Sequence, residues 1–175
     1  MKQQNKKLNL GCGFDYKKGY INFDISDKVG ADVVGNMLES WPFPSNYFDE
    51  IFTHDTLIHI PPCKWDFVLK EINRVSKKGC ILDFTEPFDN IIYRSAVSNY
   101  TTFTWNSFSC MEVSGHSIRE YYSPLKLKRL SKKPNKFVMG FFCMFPLFLK
   151  HIHLKFEVIK WTQTKEKEDL NFKKK

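Results

Sequence analysis

"KLNLGCGFDYKKGYINFDIS", Lys7 to Ser26, decides the fold. A short apolar strand, Leu8–Leu10, runs into Gly11, Cys12 and Gly13. Eleven residues after Gly13 comes Asp24, inside a second apolar run from Tyr20 to Ile25. Glycines directly after a strand let the backbone approach a ligand at the carboxyl end of a sheet. A carboxylate at the end of the neighbouring strand can accept hydrogen bonds from both hydroxyls of a ribose. The pair therefore asks for an adenosine-type ligand lying across two adjacent strands. A nicotinamide dinucleotide fits badly, because G-x-G-x-x-G would need glycine at Tyr16 and an acidic residue about 20 positions on. The helix whose N-terminus would hold a pyrophosphate is short or missing. A G-x-x-x-x-G-K-[ST] phosphate loop is absent too, so the ligand is sought among those without phosphates.

Outward from this stretch the strands continue. "ADVVGNM", 31–37, reads as a third strand and "SWPFPSN", 40–46, as a loop. "YFDEIFTH", 47–54, is a fourth strand with an apolar core. "PPCKWDFVLKEINRVSKKG", 61–79, reads as a helix: prolines open it, and Trp65, Val68, Leu69, Ile72 and Val75 recur at helical spacing. Lys77 and Lys78 are expected in its last turn, with Gly79 as the stop. "CILDFTEP", 80–87, follows as a buried strand ended by Pro87. Strands joined through crossovers predict a mostly parallel, Rossmann-like α/β sheet. One tension stands in that reading. Seven residues, Phe14 to Tyr20, separate Gly13 from Ile21, whereas a parallel crossover normally takes about a dozen or more. Either the first helix shrinks to a single turn or the strands end elsewhere.

The second half differs in charge. Residues 1–90 hold eleven Lys/Arg against thirteen Asp/Glu, and residues 91–175 hold sixteen against six. A basic surface of that kind attracts phosphates, anionic lipid or nucleic acid, or is simply a solvated face. Residues 91–125 are polar and aromatic with little periodicity. "SPLKLKRLSKKP", 123–134, looks like a short basic helix. "FVMGFFCMFPLFL", Phe137 to Leu149, is thirteen residues long. That is too short to span a bilayer, and it reads as buried strand. Its basic flanks also suit peripheral contact with a membrane surface through 126–155. "HLKFEVIKW", 153–161, alternates like a strand, so antiparallel C-terminal strands are expected. The organisation expected is one domain over 1–162, with a cofactor-binding half at 7–90 and a cap and acceptor half at 91–162. A charged mobile tail is expected at 163–175. Five cysteines, none in a C-x-x-C, argue against a disulfide framework or zinc site. With the polar N-terminus they favour a reducing, cytoplasmic compartment.

"LNLGCG", "INFDI", "ADVVGNM", "PFPSNYFDEIFTHDTLIHI" and "EINRVSKKGCILDF", in this order, resemble the class I methyltransferases that use S-adenosylmethionine. The likeness is closest to the small group (methyltransferase type 11-like) opening L-N-L-G-C-G with a reduced first crossover, and it covers roughly 7–90. By position, the resemblance implies that Leu10, Gly11, Cys12 and Gly13 lie beside the methionine part of the cofactor. It puts Asp24 on the ribose and Ile25 next to the adenine. Asn36 and Met37 would flank the adenine edge, with His54 and Asp55 bordering the cofactor. Two residues depart from the family pattern. Asn36 stands where an aspartate is usual, and Ile58 stands where the family often reads L-E-H-I with glutamate.

Methyl transfer needs position and a partly desolvated pocket, plus a base where the acceptor is a hydroxyl. Candidates near the ends of the fourth and fifth strands are His54, Asp55, His59 and Glu86. His116, from "GHSIREYYSP", is the first choice because that stretch resembles one following the fifth strand in many relatives. His59 is expected to cap or pack against the following helix instead. His151 and His153 share a strand face, but no Cys, Asp or third His stands nearby in sequence, so no metal is expected.

The expected activity is methyl transfer to a small-molecule or cell-surface glycan or lipid-linked acceptor, at oxygen. A nucleic-acid acceptor competes and is disfavoured, because "THDT" stands where amino-methylating enzymes carry an Asn-Pro-Pro-Tyr-like stretch. Two other readings stay open: a relative that binds the cofactor, or only the fold, without turnover, and a basic nucleic-acid or membrane-surface binder. Oligomeric state is not legible.

Overall fold

The computed structural model describes residues 5–89, 91–113, 124–132, 138 and 149–160. Seven strands form one sheet in the order β3-β2-β1-β4-β5-β7-β6. These are β1 (Lys7–Leu10), β2 (Ile21–Asp24), β3 (Val33–Val34), β4 (Phe48–His54), β5 (Ser76–Pro87), β6 (Lys126–Arg129) and β7 (His151–Ile159). Neighbours among β1 to β5 pair parallel, and β7 runs antiparallel to both β5 and β6. The mostly parallel Rossmann-like sheet is thus present, with antiparallel pairing at its C-terminal edge. All carboxyl ends of β1, β2, β4 and β5 lie along one rim. Because β7 is reversed, its first residue, His151, reaches that same rim opposite Pro87.

The first crossover contains no helix at all. Turns replace it, and two buried asparagines hold them. Asn9 Nδ2 donates to Asn22 Oδ1 at 2.9 Å and to the Asp15 carbonyl at 2.8 Å. Asn22 Oδ1 also accepts from Lys17 N at 2.8 Å, and both nitrogens of Asn22 donate to Asp32 at 2.8 Å. These side chains pair several backbone groups that a helix would have paired internally, the Asp15, Lys17 and Tyr20 carbonyls and Lys17 N among them.

The β4–β5 crossover carries α1 (Trp65–Val75), which buries Val68, Leu69, Ile72 and Val75. Each such side chain contributes about 1.5–3 kcal/mol by leaving water. The expected helix end is corrected: α1 stops at Val75, and Lys77, Lys78 and Gly79 belong to β5. The carbonyls of Arg74 and Val75 accept from Asn46 N and Tyr47 N at 2.8 and 2.7 Å, which ends the helix against the turn that leads into β4. Lys77 is turned to Asp49 at 2.8 Å. Gly79, with φ of 80°, sits in a bulge where the register jumps from Phe48↔Ser76 to Glu50↔Ile81.

The short basic helix expected over 123–134 is also corrected. Lys126–Arg129 is strand β6, with Leu127 buried against the sheet. Leu-x-Leu at 125–127 is a period of two, and pairing with β7 decides it. The third strand is shorter than read, two residues. Residues 91–113, which include the short helix α2 (Ile91–Arg94), bring Phe103, Trp105 and Phe108 into the core. Phe108 meets Phe84 of β5 and Phe156 of β7 at ring-centroid distances of 5.6 and 5.7 Å. Of the apolar run 137–149, only Val138 and Leu149 are among the described residues; His116 and the tail 163–175 lie outside them.

Candidate active site

A cleft of about 560 Å³ opens at the carboxyl rim. Its wall includes Gly11, Cys12, Gly13, Asp24, Ile25, Asn36, Met37, His54 and Asp55, all singled out from the sequence. Phe14, Asp15, Phe23, Gly35, Leu38, Thr56 and His59 complete it. Leu10 is fully buried in the core and presents Gly11 rather than forming the wall itself.

The β1 end is shaped by two different glycines. Gly11 has φ of 66°, and a Cβ there would lie 2.2 Å from Thr56 Cγ2. Thr56 closes over it, donating its hydroxyl to the Gly11 carbonyl at 3.0 Å. Gly13 has φ of 48°, but a Cβ there would meet nothing within 4 Å, so its backbone faces open cleft. Gly13 N donates to Asp24 Oδ2 at 2.8 Å, and Ser26 N to Asp24 Oδ1 at 2.9 Å. Each carboxylate oxygen is therefore fixed by one main-chain donor and keeps lone-pair capacity for another. Burial, and then the Asp24 charge, push the Cys12 thiol up from its ordinary value, which is the wrong direction for a nucleophile.

Ile25 is 67% exposed and Phe14 89% exposed, both in the cleft wall, a pair of apolar faces with no protein partner for most of their area. Next to Ile25 the loop after β3 is tied to the end of β2. Gly35 N donates to the Asp24 carbonyl at 2.8 Å, and Asn36 Oδ1 accepts from Leu38 N at 2.9 Å. The latter is a turn contact that an aspartate makes equally well. The departure at Asn36 thus preserves the loop and changes one acceptor into a donor. Trp41 ties the loop to α1: its indole donates to the Met37 carbonyl at 2.9 Å and its backbone N to Glu71 at 2.8 Å. Arg74 holds the Glu71 carboxyl below its ordinary range and donates to the carbonyls of Trp41 and Phe43 at 3.0 and 2.6 Å.

The other wall is the turn after β4. Ile58 is buried in the core, outside the cleft. Leu57 N and Ile58 N donate to Glu86 of β5 at 3.2 and 3.3 Å, and Thr53 Oγ1 donates to it at 2.8 Å. A carboxylate does orient this turn, but it comes from β5 rather than from residue 58. Burial pushes the Glu86 carboxyl up to about 7, against the pull of those hydrogen bonds. Glu86 is completely buried and does not reach the cleft.

The expectation that His59 packs against the helix is corrected. His59 lines the cleft, with Nδ1 2.9 Å from the Ser98 carbonyl. A carbonyl only accepts, so Nδ1 carries a proton and donates; in the neutral ring Nε2 is then the acceptor. His54 and Asp55 stand at the mouth, and His151 of β7 joins them: its Nε2 lies 3.0 Å from the Asp55 carboxylate. No local sequence signal links residues 55 and 151; only the reversed β7 does. The sequence reading set His151 beside His153; in the fold His151 meets Asp55 and His54 instead.

Residues 8–84 match the family model of a methyltransferase domain. The chain is similar in structure to an S-adenosylmethionine-dependent methyltransferase from Archaeoglobus fulgidus, at 13% identity, covering 91% of this chain and 87% of that one, with a TM-score of 0.56. It is similar to the YcgJ protein of Bacillus subtilis at 13% identity, covering 90% and 93%, TM-score 0.58. It is also similar to Haemonchus contortus phosphoethanolamine N-methyltransferase 2, in complex with S-adenosyl-L-methionine, at 15% identity, covering 93% of this chain but 50% of that one, TM-score 0.53. No curated protein matches the sequence.

Proposed function

We propose that this chain, whose class I methyltransferase fold carries the family segment at residues 8–84, binds S-adenosylmethionine in the cleft. We propose further that it methylates an oxygen of a small-molecule, glycan or lipid-linked acceptor. The observation that carries the reading is Asp24, a residue of the cleft wall whose two carboxylate oxygens are fixed by Gly13 N and Ser26 N. The residues fit the ligand. Asp24 accepts from a vicinal diol, and the bare Gly13 backbone admits close approach. Ile25 and Phe14 offer apolar faces to a flat ring, and the Asn36 side-chain amide stands in the same wall beside them. When bound there, the cofactor supplies a methyl group already activated on a sulfonium, and the carbon–sulfur pair returns to sulfur as the methyl leaves. The chain's own part is to hold, orient and exclude water. His59 Nε2 takes the proton from the acceptor hydroxyl, whose oxygen then carries the pair that forms the new bond.

Calorimetric titration with S-adenosylmethionine and S-adenosylhomocysteine, with Asp24→Ala beside the native chain, tests this. Micromolar binding that weakens by ~100-fold in the variant supports it. No binding at millimolar ligand, by protein whose melt shows it folded, overturns it. Membrane-surface and nucleic-acid binding by the basic second half would then be measured by salt dependence.

A further inference from the structure

Among the described residues, one group of three side chains has the spacing and chemistry of a metal site, and it stands at the mouth of the cleft. His54 ends β4, Asp55 follows it, and His151 begins β7. One ligand atom from each lies within 4.8 Å of the others. The Asp55 carboxylate is 3.0 Å from His151 Nε2, and the two imidazole rings meet edge to face at 5.8 Å. A second carboxylate, Asp15, stands 3.9 Å from His54 Nδ1. His54, Asp55 and Asp15 all also line the cleft.

Two neutral imidazoles and a carboxylate suit a borderline divalent cation such as zinc, cobalt(II) or iron(II). Magnesium and calcium instead prefer oxygen ligands throughout. Bonds of about 2.0–2.2 Å put neighbouring ligand atoms roughly 3.4 Å apart in a tetrahedral arrangement. Separations of up to 4.8 Å close to that by side-chain rotation of His54 and Asp55, which are exposed, toward His151, which is half-buried. The neighbouring histidine is excluded from the set. His153 faces Asp83, which also takes Lys155 at 2.8 Å.

We propose that His54, Asp55 and His151 bind one divalent cation of the zinc class at the cleft mouth, leaving an open position for an acceptor oxygen. The role of that open position rests on the methyl-transfer reading; the cation site does not. A cation there would bind the acceptor hydroxyl beside His59 and make its proton easier to remove.

The test uses the full chain, untagged and stripped with chelator. Cobalt(II) is followed by visible absorption and zinc by calorimetry, with His151→Ala, Asp55→Asn and His153→Ala run in parallel. Expected is one cation per chain, bound ~10-fold or more weaker in His151→Ala and Asp55→Asn, as for loss of a ligand. His153→Ala should bind as the native chain does. Thermal melts confirm that each variant is folded. Absence of cobalt binding, native-like binding by His151→Ala, or an equal loss in His153→Ala overturns the site. S-adenosylhomocysteine titrated into the same samples separates the two readings. Cobalt binding without nucleoside binding keeps the cation site and removes the methyltransferase reading, and the reverse removes the cation site alone.

Discussion

The two walls of the cleft are built from different material. On the β1–β2 side every donor is main chain: Gly13 N and Ser26 N on the Asp24 carboxylate, Gly35 N on the Asp24 carbonyl, Leu38 N on the Asn36 side chain. On the β4–β7 side they are side chains, each with one or two contacts: His59 on Ser98, Asp55 on His151, His54 near Asp15. A wall of main-chain donors keeps its shape provided the glycines, Asp24 and the loop ties through Asn36 and Trp41 stay. A side-chain wall changes its chemistry with each substitution. The first suits a ligand that never varies, and the second suits an acceptor and its proton.

The main-chain wall breaks most severely at Gly11. Its φ of 66° disfavours any side chain, and the new Cβ would press on Thr56 Cγ2 at 2.2 Å. Left-handed strain and overpacking together cost about 4 kcal/mol. For a chain of this size that lowers Tm by on the order of 10 °C. Gly11→Ala, measured by thermal melt, should show that loss together with loss of nucleoside binding. A melt within a degree or so of native would mean that Thr56 moves aside and that this wall is softer than its contacts imply.

The side-chain wall rests on Glu86, and its weakness is pH. The Glu86 carboxyl is raised from 4.5 to about 7 by burial. Below the unfolded value both states are protonated and stability is full. As pH rises toward 7 the unfolded chain ionises and the folded chain resists, so stability falls, levelling off above 7 about 3 kcal/mol lower. Denaturant unfolding at pH 5 and pH 8 should show this fall in the native chain and lose most of it in Glu86→Gln. An unchanged fall in the variant would assign the pH dependence to other groups and leave the turn at Leu57–Ile58 held by packing.

The sequence showed one of these walls with its contacts, and of the other it showed His54, Asp55 and His59 without their partners. Gly11, Gly13 and Asp24 are legible because their spacing is local and each residue type has few other uses. The parallel sheet followed from the same stretch, and even the shortened crossover was visible as a count of residues. What it could not show was the means: Asn9 and Asn22 look like ordinary polar strand residues until their side chains are seen filling for a helix. Lys77–Gly79 read as a helix end because that pattern is shared by helix stops and bulges; the choice was made by Asn46 and Tyr47 pairing with the helix carbonyls. Residues 126–129 were misread because four residues hold too little period to outweigh charge. His151 had no local partner at all. Its place at the cleft depends on a strand reversal ninety-odd residues from Asp55, and such contacts leave no mark in the intervening chain. His59 was visible as a candidate, but its direction was set by Ser98.

The smallest effect separates the two glycines of the main-chain wall. Gly13 is also left-handed, at φ of 48°, but nothing lies within 4 Å of where its Cβ would be. Gly13→Ala therefore carries the conformational cost alone, about 1 kcal/mol. In the melt it should lie well above Gly11→Ala. The added methyl occupies the cleft, where only a ligand can meet it. Affinity for S-adenosylhomocysteine should then fall by roughly tenfold, a further ~1.4 kcal/mol that appears in binding and not in stability. Should affinity hold while stability drops, the backbone at Gly13 is not where the ligand comes closest, and the glycine is there for the turn. Should both hold, the left-handed turn itself relaxes, and the Asp24 hydrogen bond from Gly13 N is the contact to measure next, through the Asp24→Asn variant.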